Sequence, residues 1–392
     1  MSTRNRRYGG QLRVLMINTV PMRYEGITMV MLNYARNMDR DGLQLDFLAN
    51  NDVEPSIRRE LADMGCGLHV LRNRNRRPLR YVLRLARLIR QNGYEVVHAH
   101  GNSCTLAAEM LAARLGGAKV RCAHSHNTKC SSPRLNRWLR PFFERLCTHG
   151  FACGTAAGQW LFGERPFVVL NNGTDGKRYG FDAAARTAFR EALGIGGRTA
   201  IGHVANFNPQ KNHAFLIDVF EEVHRRDPDP VLVLVGDGSC RGEIGERVRQ
   251  KGLEDSVIFT GTSREIPQIL SAMDFMVLPS LFEGLPNVLI EWQASGLRSL
   301  VADTVTPECR LTDLVEFLPL KPQVWVEAIL GMRVCAEDRE ADSERAARQI
   351  AAAGYDIREN AARLRRLYFE YAGRPLPGQK GKDKEIGAKT GG

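Results

Sequence analysis

The sequence predicts an α/β protein made of two doubly wound, Rossmann-like domains, and three observations carry that prediction. Short apolar runs bounded by Gly, Pro, Asn or Ser alternate with helix-length segments, which implies parallel sheets covered on both faces by helices. The alternation pauses at the Gly-rich LGIGG (193–197) and then begins again. The length of 392 residues suits two domains, at roughly 100–200 residues each.

In chain order, LRVLMIN (12–18) reads as the first buried strand. Pro21 and Gly26 punctuate a loop, and TMVMLNYARNM (28–38) reads as a helix. LQLDFLAN (43–50), LHVL (68–71), YEVVHAH (94–100) and KVRCAHSH (119–126) follow as strands. They are separated by the helices PSIRRELADMG, 78–92 and TLAAEMLAARLGG, the last closed by its glycines. FACGT (151–155) and PFVVLNNGTD (166–175) complete a first domain over 11–180. After a helix near 182–193 a second domain is expected over 196–355. Its strands are TAIGHVAN (199–206), PVLVLVGDG (230–238), SVIFTG (256–261), DFMVLPS (274–280) and RSLVAD (298–303). HAFLIDVFEEVHRR (213–226) is its first helix, and a last helix is expected over 356–373. The segments 1–10 and 375–392 are polar and Gly-rich, with little to bury, and are expected to be disordered.

Composition excludes several classes. No apolar run approaches the roughly 18 residues of a membrane span, and MSTRNRRYGG lacks the apolar section of a signal peptide. Nine cysteines without CxxC pairs read as reduced cytosolic thiols, not as a disulfide framework or a zinc ribbon. Residues 1–180 hold 28 Lys and Arg against 13 Asp and Glu, leaving 27 against 31 for the remainder, so the positive excess lies in the first half. It concentrates in RNRNRRPLRYVLRLARLIRQ (72–91) and RLNRWLRPFFERLCTHG (134–150), which mix arginine with aliphatic and aromatic residues at near-helical spacing. That pattern fits either a solvated helix face or contact with an anionic membrane. No nucleic-acid motif accompanies the charge, so nucleic acid is not expected as a partner.

The chemistry is expected around FMVLPSLFEGLPNVLIEWQASG (275–296). A buried strand ends at Pro279-Ser280, a loop carries Gly284, Leu285 and Pro286, and a helix begins near Asn287. Two carboxylates lie in this stretch, Glu283 in the loop and Glu291 among the apolar residues of the helix. A helix N-terminus suits phosphate, while carboxylates suit sugar hydroxyls. Together they describe a site for a nucleotide-sugar. In HVANFNPQKNH (203–213), a loop at the carboxyl end of a strand, Lys211 is placed to meet a diphosphate. Gly236 and Gly238 of VGDG allow a close backbone approach. His98 and His100 share one strand face, as do His124 and His126, and histidines at adjacent strand ends could also converge on zinc. The triplets Asp39-Arg40-Asp41 and Asp227-Pro228-Asp229 read as turns, and no metal is expected.

The pattern PS-x-x-EG-x-P-x-x-x-x-E, with Glu283 and Glu291 so spaced, resembles the donor site of family 4 retaining glycosyltransferases. HSHNT and RPFFERLCTHGFACGTAAGQWLFG look most like the bacterial exopolysaccharide and capsule type, and the resemblance spans roughly 11–330. It implies the GT-B fold: two Rossmann-like domains facing across a cleft, with the C-terminal helix crossing back to the first. It implies a metal-independent hexosyl transfer from a nucleotide-diphosphate sugar, with no cofactor, to a lipid-linked or saccharide acceptor, at the inner face of the cell membrane. By the same resemblance Glu283, Lys211 and His126 are catalytic. Asn206, Gly236, Gly238, Arg264, Gly284, Leu285, Pro286, Asn287 and Glu291 are then donor-side, and Glu25, Gly26, His100 and Asn127 acceptor-side. The chain departs from the family pattern where Ala205-Asn206 stands in place of Gly-Arg, and where Gly26 is preceded by Glu25 instead of a second glycine. The departures leave open a non-catalytic binding partner, and a sugar-nucleotide epimerase is a further alternative.

Overall fold

The computed structural model describes residues 10–24, 26–130, 132–332 and 338–378. It divides into two units, one holding the chain up to Gly173 and from Ile357 onward, the other Thr174–Asp356.

The first unit runs β1 (Leu12–Asn18), α1 (Gly26–Asn37), β2 (Leu43–Ala49), α2 (Pro55–Asp63), β3 (Leu68–Val70) and α3 (Pro78–Asn92). It continues with β4 (Val96–Gly101), α4 (Ala107–Gly116), β5 (Val120–Ser125), α5 (Pro133–Leu146), β6 (His149–Ala152), α6 (Thr155–Phe162) and β7 (Phe167–Val169). The second unit runs α7 (Gly176–Tyr179), α8 (Ala183–Ala192), β8 (Ala200–Val204), α9 (His213–Arg226), β9 (Val231–Val235), α10 (Arg241–Gln250) and β10 (Val257–Gly261). It continues with α11 (Ile266–Ala272), β11 (Phe275–Leu278), α12 (Asn287–Ala294), β12 (Ser299–Ala302), β13 (Val315–Leu318), α13 (Pro322–Gly331) and α14 (Arg339–Ala352). The last helix, α15 (Ile357–Tyr371), belongs to the first unit.

Both sheets are parallel throughout, in the orders β3-β2-β1-β4-β5-β6-β7 and β10-β9-β8-β11-β12-β13. Each order reverses direction once, between β1 and β4 and between β8 and β11. Such a switch point opens a crevice outside the carboxyl ends of its strands. The loops after β8 and β11 therefore meet at the place where a doubly wound sheet binds its ligand.

The strands are nearly all apolar because both faces are covered. Leu12, Val14 and Met16 face α1 and α15, while Leu15 and Ile17 pack with Leu85, Ile89 and Met110 from α3 and α4. The second sheet repeats the arrangement. Val231, Val233 and Met276 pack with Trp292 and Ile350, and Leu232, Leu234 and Val277 with Phe220 and Trp325.

α15 presents Ile357, Ala361, Leu364 and Tyr368 along one face into the first unit's core. The chain leaves that unit at Gly173 and returns beside it. A Cβ at Gly173 would stand 2.5 Å from the Ile357 Cα, so only glycine admits the close passage.

Several strands are one or two residues shorter than the apolar runs, because the flanking residues turn into loops. The sequence reading passes over β13 and helices α6, α7, α10, α11, α13 and α14. Glu316 interrupts the short edge strand, and α10 (RGEIGERVRQ) buries only Ile244 and Val248. Residues 375–378 are described, and Leu376 packs against the first core. Gly10 is described as well, and the rest of both expected tails lies outside the described residues.

Candidate active site

In the second unit the chain leaves β8 at Val204 and reaches α9 through a short 3-10 turn, Pro209–Lys211. The Asn208 side chain caps that turn, accepting from the Lys211 amide at 3.2 Å. Asn212 adopts the left-handed conformation (φ 57°) that redirects the chain into α9. The turn brings Lys211 over the loop after β11. Lys211 Nζ donates to Glu283 Oε1, which also accepts from Ser280 Oγ at 3.0 Å. Glu283 Oε2 accepts from Gln210 Nε2 at 3.1 Å. The side chains of Lys211 and Glu283 are only 15% and 10% exposed, so water screens their attraction weakly. The sequence reading assigned these two residues to separate parts of a ligand; the fold joins them directly.

Behind this pair, Ser280 O accepts from Thr304 Oγ1 at 2.7 Å, and residue 283 bridges to Val305. α12 starts at Asn287 with no side-chain cap on its first turn. Pro286 precedes it and Leu285 packs against the core. Gly284 stands in open space. Glu291 is half-buried in the second turn of α12, between the fully buried Ile290 and Trp292.

Gly236 and Gly238 follow β9 at φ 135° and 155°. Their missing side chains make room for this unit's own backbone: a Cβ would lie 2.1 Å from Ala205 O at Gly236 and 2.4 Å from Phe207 O at Gly238. The glycines thus hold the Asn206 loop close to β9. Asn206 is exposed, and so is Arg264. Arg241, at the start of α10, places its guanidinium 3.5 Å from the centroid of the Phe259 ring and 5.8 Å from that of Phe207. It is a cation beside the loop that lacks the family arginine. Sequence reading missed it, along with Gln210 and Ser280, although Gln210 directly precedes the lysine that reading selected.

In the first unit, β4 and β5 pair with His100 opposite His124. His98, His100, His124 and His126 form a stack, with successive rings 4.4, 5.0 and 4.3 Å apart. His98 Nδ1 meets Tyr368 Oη at 2.5 Å, and His100 Nδ1 meets His126 Nε2 at 2.9 Å. Burial pushes all four below the usual imidazole value, His126 to about 3, so they are neutral at pH 7. His98, His100 and His124 can offer ring nitrogens within 4.8 Å of one another. Their planes lie within 8–27° of parallel, which sets the nitrogens side by side instead of aiming them at one point. His100 is fully buried, and its ring meets the loop after β5 at His126.

Asn102, which sequence reading did not select, fixes the His126 backbone by accepting from its amide at 3.1 Å. Asn127 is exposed, its carboxamide oxygen accepting from the Thr128 amide at 2.7 Å. Gly26 opens α1 at φ 47° with nothing near its Cβ position, and Glu25 lies outside the described residues. Both Asp-x-Asp triplets fold onto themselves, Asp39 Oδ1 and Asp227 Oδ1 each accepting from the amide two residues on at 3.0 Å.

Two parallel Rossmann-like sheets, each with one switch point, are the architecture of the GT-B class. Comparison with known proteins places the chain more closely. It matches the "Glycosyl transferase 4-like domain" over residues 25–161 and "Glycosyl transferases group 1" over 198–331. EpsF of Bacillus subtilis (strain 168), which bears the name of a glycosyltransferase, is 37% identical over 91% of this chain and 96% of its own length. The UDP-Gal:alpha-D-GlcNAc-diphosphoundecaprenol alpha-1,3-galactosyltransferase of Escherichia coli is 25% identical over 59% of this chain and 64% of its own. HepE of Anabaena, solved with UDP and with UDP-glucose, is 20% identical; the UDP complex gives a TM-score of 0.73 over 92% of this chain and 100% of HepE. The chain belongs to the group 1, 4-like family of glycosyltransferases.

Proposed function

We propose that the chain is a retaining glycosyltransferase that moves a sugar from a nucleoside-diphosphate sugar to a lipid-linked or saccharide acceptor in cell-surface polysaccharide synthesis. The observation that carries this reading is Lys211 and Glu283 held together at the β8–β11 switch point beside the uncapped start of α12. A cation and a helix N-terminus suit a diphosphate, and the adjoining carboxylate suits a hydroxyl-bearing ring. Negative charge grows on the departing diphosphate, so Lys211 and the first turn of α12 act on the rate. Glu283 accepts from the transferred sugar and Glu291 from the ribose hydroxyls, with Asn206, Gly236, Gly238, Arg264, Gly284, Leu285, Pro286 and Asn287 around the nucleotide. His126, Gly26, Asn127 and, behind His126, His100 serve the acceptor side. No metal takes part in this reading.

UDP in the solved HepE complexes, and UDP-Gal and diphosphoundecaprenol in the name of the Escherichia coli relative, support a UDP-sugar donor and a lipid-diphosphate acceptor. Two basic helices support work at an anionic membrane surface, on the cytoplasmic side. α3 exposes Leu79 and Leu83 among arginines, and α5 exposes Leu135, Trp138 and Phe142. Among the described residues no helix is long and apolar enough to cross a membrane.

The test is thermal stability against UDP-, GDP-, ADP- and dTDP-sugars. A ligand at one hundred times its Kd adds about 2.7 kcal/mol, a visible shift in melting temperature. Stabilisation by one nucleotide class, lost in Lys211→Ala, supports the reading. No stabilisation by any, together with salt-sensitive vesicle binding, would favour the non-catalytic partner that Asn206 brings to mind. Release of an altered free sugar nucleotide without acceptor would point to an epimerase.

A further inference from the structure

We infer that Gln210 is the positioning residue for Glu283, dividing its carboxylate between Lys211 and the transferred sugar. This inference rests on the proposed nucleotide-sugar site. The loop after β11 has little packing to hold it, since Leu281 and Phe282 are 45% and 50% exposed and Gly284 stands in open space. Thr304 and the bridge to Val305 tie it on one side, and Gln210 anchors it on the other. Its backbone oxygen accepts from the Leu281 amide at 2.8 Å, and its Nε2 donates to Phe282 O at 2.8 Å and to Glu283 Oε2 at 3.1 Å. One residue thus fixes three successive residues of the loop. Both side-chain partners are acceptors, so the amide nitrogen must face them, and its two N–H groups satisfy both without adding charge.

The division of the carboxylate has a chemical consequence. Oε1 takes Lys211 and Ser280, while Oε2 is held away from Lys211 by Gln210. Without that restraint Glu283 is free to swing both oxygens onto Lys211. The lysine would then be withdrawn from a diphosphate and the carboxylate from a sugar hydroxyl. Glutamate at 210 would set a second carboxylate against Glu283, and two such groups resist being charged together. Protonated, however, it could still donate one hydrogen bond.

The experiment compares the wild type, Gln210→Ala and Gln210→Glu for affinity to UDP, UDP-glucose, GDP and GDP-mannose, and for release of nucleoside diphosphate from the two sugars. For Gln210→Ala the expected result is nucleoside-diphosphate affinity within about 3-fold of wild type, with release slowed at least 10-fold. Gln210→Glu, measured as the ratio of its release rate to that of wild type at each pH above 6.5, should fall as pH rises, a profile that an altered fold alone does not produce. Melting curves without ligand confirm that each variant folds. In a Glu283→Gln background, Gln210→Ala should add little, because positioning acts through Glu283. Equal loss of affinity for nucleotides and sugar nucleotides, unchanged release, or additive losses in the double variant would overturn this inference alone. A wild type that binds none of these four ligands and no ADP- or dTDP-sugar would overturn it together with the proposed function.

Discussion

At the scale of single residues, the Lys211–Glu283 pair makes predictions that separate stability from chemistry. Lys211→Ala leaves a largely buried carboxylate without its counter-charge, a change that costs about 3–5 kcal/mol in comparable pairs. The same variant should lose donor-dependent turnover altogether. Glu283→Gln keeps the side chain's size but leaves Lys211 without its counter-charge and turns one accepting oxygen into a donor, so it should also lose stability while turnover falls at least 100-fold. Denaturant titration alongside nucleotide release checks both, and unchanged turnover in either variant would refute the assignment. Asn206 gives a prediction of the opposite sign. Its side chain is exposed at the mouth of the β8 loop, so Asn206→Arg can be accommodated. A restored charge-assisted contact is worth about 1.5–3 kcal/mol, which should tighten UDP binding by about 10-fold or more in a calorimetric titration. Unchanged affinity would mean that the loop does not reach the phosphates. Glu283 and Glu291 draw notice in the sequence because charge inside an apolar, strand-flanked stretch needs a reason, and Lys211 because it follows a strand in a loop; that Lys211 and Glu283 touch was not legible. Nor were Gln210, Ser280 and Arg241, because a neutral amide, a hydroxyl and a helix-start arginine look like ordinary surface until the fold sets them against their partners.

At the scale of elements, what could be read was whatever had a strong period. β1, α3 and α9 lie where the apolar pattern puts them, since a strand covered on both faces must be apolar and an amphipathic helix must repeat. β13 and α10 bury too few residues to impose a pattern, α11 has only seven residues, and the buried face of α14 is made of Arg339, Ser343, Ala346 and Ile350, which does not read as an apolar stripe. α15 is the element whose removal from contact should matter most to the first unit. Leu364 is fully buried in that unit's core, and Leu364→Ala should cost about 2–5 kcal/mol by chemical denaturation. A loss under 1 kcal/mol would show that α15 docks loosely. For the basic helices, the exposed Leu79, Leu83 and Trp138 should carry the apolar part of membrane contact. Replacing all three by aspartate should abolish co-sedimentation with vesicles of anionic phospholipid and leave UDP affinity unchanged. Retained sedimentation would identify these surfaces as solvated faces.

At the scale of the whole molecule, both units bury histidines, and this couples folding to pH. His98, His100, His124 and His203 are fully buried, His213 nearly so, and the ring of His126 lies against them or their neighbours. Burial is the main cause that holds each below the usual value, with His213 at about 4 and His126 at about 3. A folded value below the unfolded one near 6.5 means that the unfolded chain binds more protons as pH falls. The stability these neutral rings contribute is therefore complete above about pH 7. It is lost progressively below about 6.5, by up to about 1.4 kcal/mol per pH unit for each histidine. With six such groups, melting temperature should drop steeply between pH 6.5 and 5. His124 is the ring to test, because neither of its nitrogens has a hydrogen-bond partner among the described residues. His124→Phe keeps a flat ring in the stack and deletes the titration, so its stability should decline less steeply with acid, by about one histidine's share. Unfolding followed by denaturant at pH 7, 6 and 5 reads that slope directly. Equal slopes in the variant and the wild type would mean that the histidine stack opens to water before the unit unfolds.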